Sequence, residues 1–340
     1  MKCLARAAFV VAGILLTLPS QHADAQTLAR VKQRGAVVCG VSQGLPGFSN
    51  PDNHGNWTGI DVDLCRGIAA AIFADPAKVR FVGLAAKDRF TALQVGEIDV
   101  LSHDTTWTLA RDAALGLNFT GVTYYDGQGF MVRRSAQVKS IRDLDGASIC
   151  TQTGTTTELN VSDFFKANRL KYELIAFESA DETMKSYESG RCDVFTNDIS
   201  SLYAQRLKMA HADDHVILPD VISKEPLGPA VRQGDDQWFD VVRWTLFAMI
   251  DAEELGLTSQ NIADARTSPN PEVRRFVGAD GDSGASMGLS RDWAANVIRL
   301  VGNYGEVFDR NVGAGSPLAI PRGLNRLWSQ GGIQYAPPVR

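Results

Sequence analysis

Aromatic side chains make up only 8% of the 340 residues, neither sign of charge predominates, and beyond the N-terminus there is no long apolar run. Each shortage excludes something. The 34 Lys and Arg against 39 Asp and Glu are interspersed and leave a formal charge of -5, so no basic track exists for a phosphate backbone and no nucleic-acid partner is expected. The apolar stretch from Ala7 to Leu18 is shorter than the ~18 to 20 residues of a membrane span. Catalytic and cofactor signatures are missing as well: there is no G-x-S-x-G elbow, H-E-x-x-H pair, G-x-x-x-x-G-K loop or G-x-G-x-x-G fingerprint. Past the first 25 residues the histidines are His54, His103, His211 and His215, without metal-ligand spacing, so neither metal nor cofactor is expected. His103-Asp104 is the one adjacent pair resembling an acid-base unit. Because neighbours at a strand end point opposite ways, a plain loop position is the expectation for it.

The 44% of hydrophobic residues suffices for one large or two ordinary domains with proper cores. Lys2 and Arg6, the apolar run, Pro19 and then Ala23-Asp24-Ala25 follow the order of a secretory signal, so residues 1–25 are expected to be removed and the product exported. Cys3 precedes the apolar run, which argues against a lipid-anchored cysteine at the cleavage point. Cys39, Cys65, Cys150 and Cys192 remain, an even number without a C-x-x-C pair, which in an exported chain reads as disulfides. Three connectivities are open, and four buried free thiols are the alternative.

Short apolar runs alternate with helical patterns. Strands are predicted at Ala36–Val41, Val79–Leu84 and Ile98–Leu101, with a helix after Gly59 and another from about Asp88 to Gln94. The order then restarts: strand at Ala147–Cys150, a turn at Thr153–Thr156 into a helix, strand at Tyr172–Phe177, and a capping box at Ser179–Glu182 opening a helix that ends at Gly190. Leu93, Gly96, Asp99 and Val100 recur in spacing as Tyr187, Gly190, Asp193 and Val194. This alternation predicts an α/β fold of two lobes, each with a parallel-rich sheet. Gly127–Val132 and Glu225–Val231 are read as the two crossover strands between them. A long helix from about Asp236 to Leu255 should return to the first lobe, followed by a polar tail with one further helix, Trp293 to Tyr304. The expected division is 26–128 for lobe 1, 129–226 for lobe 2, 227–256 for the return and 257–340 for a C-terminal extension. Pairing within lobes then favours Cys39 with Cys65 and Cys150 with Cys192, since a cross-lobe bond would hinder closure.

Ligands of open α/β sheets bind at the carboxyl ends of strands. There the chain places Asp104-Thr105-Thr106-Trp107-Thr108-Leu109-Ala110-Arg111, hydroxyls and free N–H groups followed by a guanidinium whose planar fork suits a carboxylate. Gly154-Thr155-Thr156-Thr157 occupies the equivalent turn of the second lobe. Asp198 follows the next strand and could face an ammonium group or cap the helix after it. Arg111 and Asp198 across a cleft would match a zwitterion.

Gly59-Ile60-Asp61-Val62-Asp63-Leu64, Gly96-Glu97-Ile98-Asp99, Thr106 to Arg111, Gly154-Thr155-Thr156, Gly190-Arg191-Cys192-Asp193 and Asp198 together resemble the ordered motifs of periplasmic polar amino-acid-binding proteins of ABC importers. Val301 to Glu306 and Pro321 to Asn325 resemble the extended, general L-amino-acid-binding subgroup. The resemblance implies a two-lobed, type II periplasmic-binding fold and a periplasmic monomer that delivers L-amino acids to an inner-membrane ABC permease. It places Arg111, Thr106 and the Thr156 N–H, with Thr155 beside it, on the α-carboxylate. It places Asp198 and Asp104 on the α-ammonium, although a carboxylate at 104 departs from the small residue usual there. Ser42, Leu45 and Ala86 would line an uncharged side-chain subsite of broad specificity. The alternative is an enzyme on the same scaffold, such as a dehydratase of an amino-acid-like acid, with His103 or Asp104 as its acid or base.

Overall fold

Val37–Ser42 is buried along its whole length, as the central strand of a sheet covered on both faces must be. In the computed structural model, which describes residues 27–340, this strand lies parallel to Val79–Leu84 on one side and Val100–Leu101 on the other. Ala230–Arg232 and then Leu117–Phe119 complete the five strands. The expected signal segment, Cys3 and the cleavage point near Ala25 lie outside the described residues. A second five-stranded sheet repeats the order: Tyr172–Phe177, Ala147–Gln152 and Val194–Asp198 run parallel, Gln128–Arg133 pairs antiparallel with the last of them, and His215–Ile217 pairs antiparallel with Gln128–Arg133.

The short internal repeat has a physical basis. Gly96 and Gly190 each end a helix with φ near +79° and +85°, where a side chain would be strained. Asp99 and Asp193 then each accept the backbone N–H of the neighbouring first strand, from Val38 at 2.8 Å and Ser148 at 3.0 Å. The disulfides are Cys39–Cys65, joining the first strand to the helix Ile60–Phe73, and Cys150–Cys192, within the second lobe. Ser179 accepts the Glu182 N–H as half of the anticipated capping box, opening the helix Ala180–Glu188.

The crossover ladder differs from the sequence reading. It pairs Tyr124–Asp126 with Glu225–Leu227, while Gln128–Arg133 is a strand of the second sheet, with Phe130, Met131 and Val132 fully enclosed. A glycine-flanked extended segment looks the same locally in either role; burial on both faces is a tertiary fact.

The long helix Asp236–Glu254 returns to the first lobe as anticipated. The extension, however, is not a polar tail with one helix. Pro271–Phe276, Trp293–Leu300 and Tyr304–Asn311 are helical, the last two separated at Gly302 (φ +103°) and by a reciprocal cap of Asn303 and Glu306. Trp293, Val297, Tyr304 and Phe308 are buried in one core with Leu64, Ile68, Val242 and Met249. Arg310 and Asn311 both donate to the Asp63 carboxylate, at 2.8 and 2.7 Å.

Candidate functional site

The carboxyl ends of the two sets of parallel strands face each other across a cavity of about 170 Å³. Drug-sized ligands occupy pockets of about 300–1,000 Å³, so this volume suits a molecule of single-amino-acid size. Ser42, Leu45, Ala86, Asp104 and Thr106 line it from the first lobe, and Thr155, Thr156 and Asp198 from the second. Arg111 stands behind that wall. Its Nη1 donates to the Thr106 carbonyl at 2.9 Å and its guanidinium lies 5.1 Å from the Phe90 ring centroid, while Nε and Nη2 make no hydrogen bond among the described residues. Burial, then the neighbouring Arg89, push its pKa down to about 9.

Arg89 supplies the guanidinium in the cavity wall itself. It is buried, its Nη1 lies 3.2 Å from both His103 Nδ1 and the His103 carbonyl, and its Nε has no partner among the described residues. The sequence reading passed over it, since one Arg in the first turn of a short helix reads as a solvated charge. Its place three residues after Ala86, already assigned to the subsite, was the available signal.

His103 and Asp104 do not point apart. Asp104 takes φ +38°, which turns the chain so that its Oδ1 lies 3.1 Å from His103 Nδ1. Asp61 holds that turn, accepting the Asp104 N–H and the Ser102 hydroxyl, each at 2.9 Å. Burial and the adjacent Asp104 charge push the Asp61 carboxyl up to about 7. The other nitrogen of His103, Nε2, is 2.9 Å from the Leu84 carbonyl, which can only accept, so that nitrogen carries a proton and is engaged.

Asp198 precedes the helix Ile199–Lys208 without a capping bond from its side chain. Its Oδ1 is buried with no partner among the described residues. Burial first, then Asp126 and Glu225, raise its pKa well above the ordinary carboxylate value, against the pull of Arg111. Glu225, also passed over in the sequence, lies almost wholly buried behind the site and accepts from Thr156 Oγ1 at 2.9 Å and Asn160 Nδ2 at 2.7 Å, fixing the turn that presents Thr155 and Thr156. The Ser42 hydroxyl is 2.6 Å from that of Ser49, and Leu45 and Ala86 add apolar surface beside it, while Asp181, which also lines the cavity, is paired with Lys208.

The lobes touch at the rim. Lys87 Nζ donates to Glu178 at 2.7 Å, Thr106 and Thr156 hydroxyls are 3.4 Å apart, and a Cβ on Gly154 (φ +77°) would lie 2.9 Å from the Lys87 Cα. The result is a dipolar chamber, with the Arg89 guanidinium and Asp104 on the first-lobe wall and the unpartnered Asp198 carboxyl on the second.

This architecture is that of a solute-binding protein, and the chain belongs to the bacterial extracellular solute-binding proteins, family 3, whose pattern matches residues 37–261. It is 58% identical over 332 residues, 97% of each chain, to the general L-amino acid-binding periplasmic protein AapJ of Rhizobium johnstonii. It is 48% identical over 336 residues, 98% of this chain and 99% of the other, to the glutamate/glutamine/aspartate/asparagine-binding protein BztA of Rhodobacter capsulatus. A solved periplasmic binding protein from Brucella ovis with glutathione bound is 55% identical, with TM-score 0.92 over 94% of this chain and 100% of that one.

Proposed function

We propose that this protein is the periplasmic substrate-binding component of an amino-acid ABC importer, closing its lobes on L-amino acids with broad specificity and presenting them to an inner-membrane permease. The observation that carries the reading is the unpartnered, buried Asp198 oxygen opposite Arg89 and Arg111 in a chamber of amino-acid size. A carboxylate left unpaired in low dielectric is costly, and an α-ammonium removes that cost. Arg111, Thr106 and the Thr155 and Thr156 backbone N–H groups hold the α-carboxylate; Asp198 and Asp104 hold the ammonium; Ser42, Leu45 and Ala86 face the side chain without imposing a charge. Relatives named for general L-amino acids and for four acidic and amide amino acids support breadth. The strands support the lobe division 26–128, 129–226 and 227–256, since one sheet draws on 37–119 and 230–232 and the other on 128–217, and we take 257–340 as the extension. We take the protein to be exported through the signal at 1–25 and to act as a monomer.

His103 is disfavoured as the acid or base of an enzyme because both its nitrogens are committed, one to Leu84 and the other between Arg89 and Asp104, which leaves Asp104 as the group an enzymatic reading would need. Glutathione is a second candidate ligand on the strength of the Brucella relative. Its γ-glutamyl end carries the same α-ammonium and α-carboxylate, so it would use the same polar contacts. Calorimetric titration of the mature protein with the twenty L-amino acids and glutathione tests both readings. Tight binding of several amino acids is expected; binding of none, with turnover of a carboxylic acid, would transfer the site to catalysis.

A further inference from the structure

The crossover strand Tyr124–Asp126 is paired along one edge only, and the residue opposite Tyr125 is Pro226, which has no N–H to give. The Tyr125 backbone is met from the other side by one side chain of the C-terminal extension. Its N–H donates to Asn325 Oδ1 at 2.7 Å, and Asn325 Nδ2 donates back to its carbonyl at 3.1 Å. A primary amide carries one acceptor and one donor group side by side, so Asn325 stands in for a third strand one residue long. The residues before it are held by the same extension: Tyr304 Oη donates to the Thr123 carbonyl at 2.9 Å, and Gln334 Nε2 donates to the Val122 carbonyl at 3.2 Å. The ring of Tyr124 stacks on Phe308 at 6.0 Å. Asn325 is itself anchored to the first lobe, because Arg322 donates to its carbonyl at 2.8 Å and to Glu253 of the long helix at 3.1 Å.

One residue further on, the attachment changes lobes. Asp126 accepts the Ser200 N–H of the second lobe at 3.1 Å, and its ladder partner Glu225 holds Thr156 and Asn160, also of the second lobe. Pro226 returns to the first lobe, its carbonyl accepting the Trp107 N–H at 2.8 Å. Both crossovers therefore change allegiance at the same rung, between Tyr125 and Asp126 on one strand and between Glu225 and Pro226 on the other.

On the reading that the lobes close on an amino acid, we infer that the C-terminal extension sets the pivot of closure, with Asn325 and Gln334 as positioning residues that bind 122–125 to the first lobe and confine bending to that rung. Hinge residues left free in the open form must be ordered again at each closure, and that cost is subtracted from binding. The brace removes it for every ligand alike, since it touches none.

The test uses the mature protein with one spin label on each lobe, at Glu97→Cys and Glu173→Cys, both exposed. Without ligand, the interlabel distance distribution should be broader in Asn325→Ala than in the unaltered protein. Affinities for glutamine, glutamate and arginine should fall by one common factor, roughly fivefold for each freed residue that must be ordered again at closure. Asn325→Asp keeps an acceptor for the Tyr125 N–H but sets a second acceptor against its carbonyl, and should likewise broaden the distances and lower all three affinities. A merely structural role would lower the melting temperature and leave distances and affinities in place, which overturns the inference, as does a loss confined to one ligand. Should Asn325→Ala fail to fold by circular dichroism, Asn325→Asp and Gln334→Ala carry the same comparison. The ligand-free distances judge the brace even if no amino acid binds the unaltered protein, an outcome that would sink the binding reading alone.

Discussion

Replacing Asp198 by Asn should make the empty protein more stable and the liganded one far weaker. In the empty chamber one carboxylate oxygen of Asp198 is buried without a partner, near Asp126, Glu225 and Asp104. Asn still places polar atoms there but carries no charge, and relief from burying an acidic group beside three other carboxylates recovers about 1–3 kcal/mol. No capping bond is lost, because the side chain makes none. At about 2 °C per kcal/mol, the lower end of the range for domains of 150–250 residues and the value suited to a chain of 340, the ligand-free melting temperature should rise by roughly 2–6 °C. Binding moves the other way. An amide cannot compensate an ammonium, and loss of one partner of a desolvated charged pair costs roughly 2–5 kcal/mol, so affinity should fall at least about thirtyfold. Differential scanning fluorimetry without ligand, and calorimetry with glutamine and glutamate, measure the two effects on the same preparations. In the unaltered protein the ammonium should also force the raised Asp198 carboxyl to ionise, so that binding releases a proton and the heat depends on the buffer's ionisation enthalpy. A variant that melts lower and binds normally would refute the reasoning and return Asp198 to a purely local role.

Arg111→Ala should weaken every amino acid to a similar degree, by at least about thirtyfold on the same 2–5 kcal/mol scale, with Arg111→Lys recovering only part; retained affinity in calorimetry would leave anion binding to Arg89 alone. Gly154→Ala places a methyl group 2.9 Å from the Lys87 Cα at a φ of +77°, so small-angle scattering with saturating ligand should show incomplete closure and calorimetry a lower affinity. Asp61 has a pKa raised to about 7 on folding, so the native state takes up its proton first: stability should rise as pH falls from about 7 towards 4, by on the order of 3 kcal/mol. Asp61→Asn should flatten that slope in urea titrations across the window, and an unchanged slope would show that other groups set it.

Much of the architecture was legible because its signals are local. Val79–Leu84 and Tyr172–Phe177 are strands over the predicted residues, and the recurrent glycine before Asp99 and Asp193 marks the same backbone turn and the same carboxylate bond in both lobes. Both cysteine pairs followed from lobe membership. What the pattern could not carry was set by distant partners. Gln128–Arg133 is a sheet strand because two other strands flank it, Arg89 is buried because His103 and its carbonyl receive it, and Asp104 faces the chamber only through a left-handed turn held by Asp61. The extension was underestimated for a related reason: its apolar residues are spread thinly among glycines, and they make a core face only when laid against Leu64 and Met249.

The way the first lobe closes over both ends of the chain bears on how the protein is assembled. The Thr27 N–H is bound by Asp235, and Asp63 is bound by Arg310 and Asn311, contacts that span 208, 247 and 248 residues. The second sheet draws all its strands from 128–217. Since contacts of short sequence separation form soonest, the second lobe can acquire its structure while the C-terminal residues are still emerging, whereas the first must wait for them. A chain truncated before Trp293 would therefore hold one finished lobe and one that exposes Leu64, Ile68 and Met249, a species marked for aggregation or proteolysis.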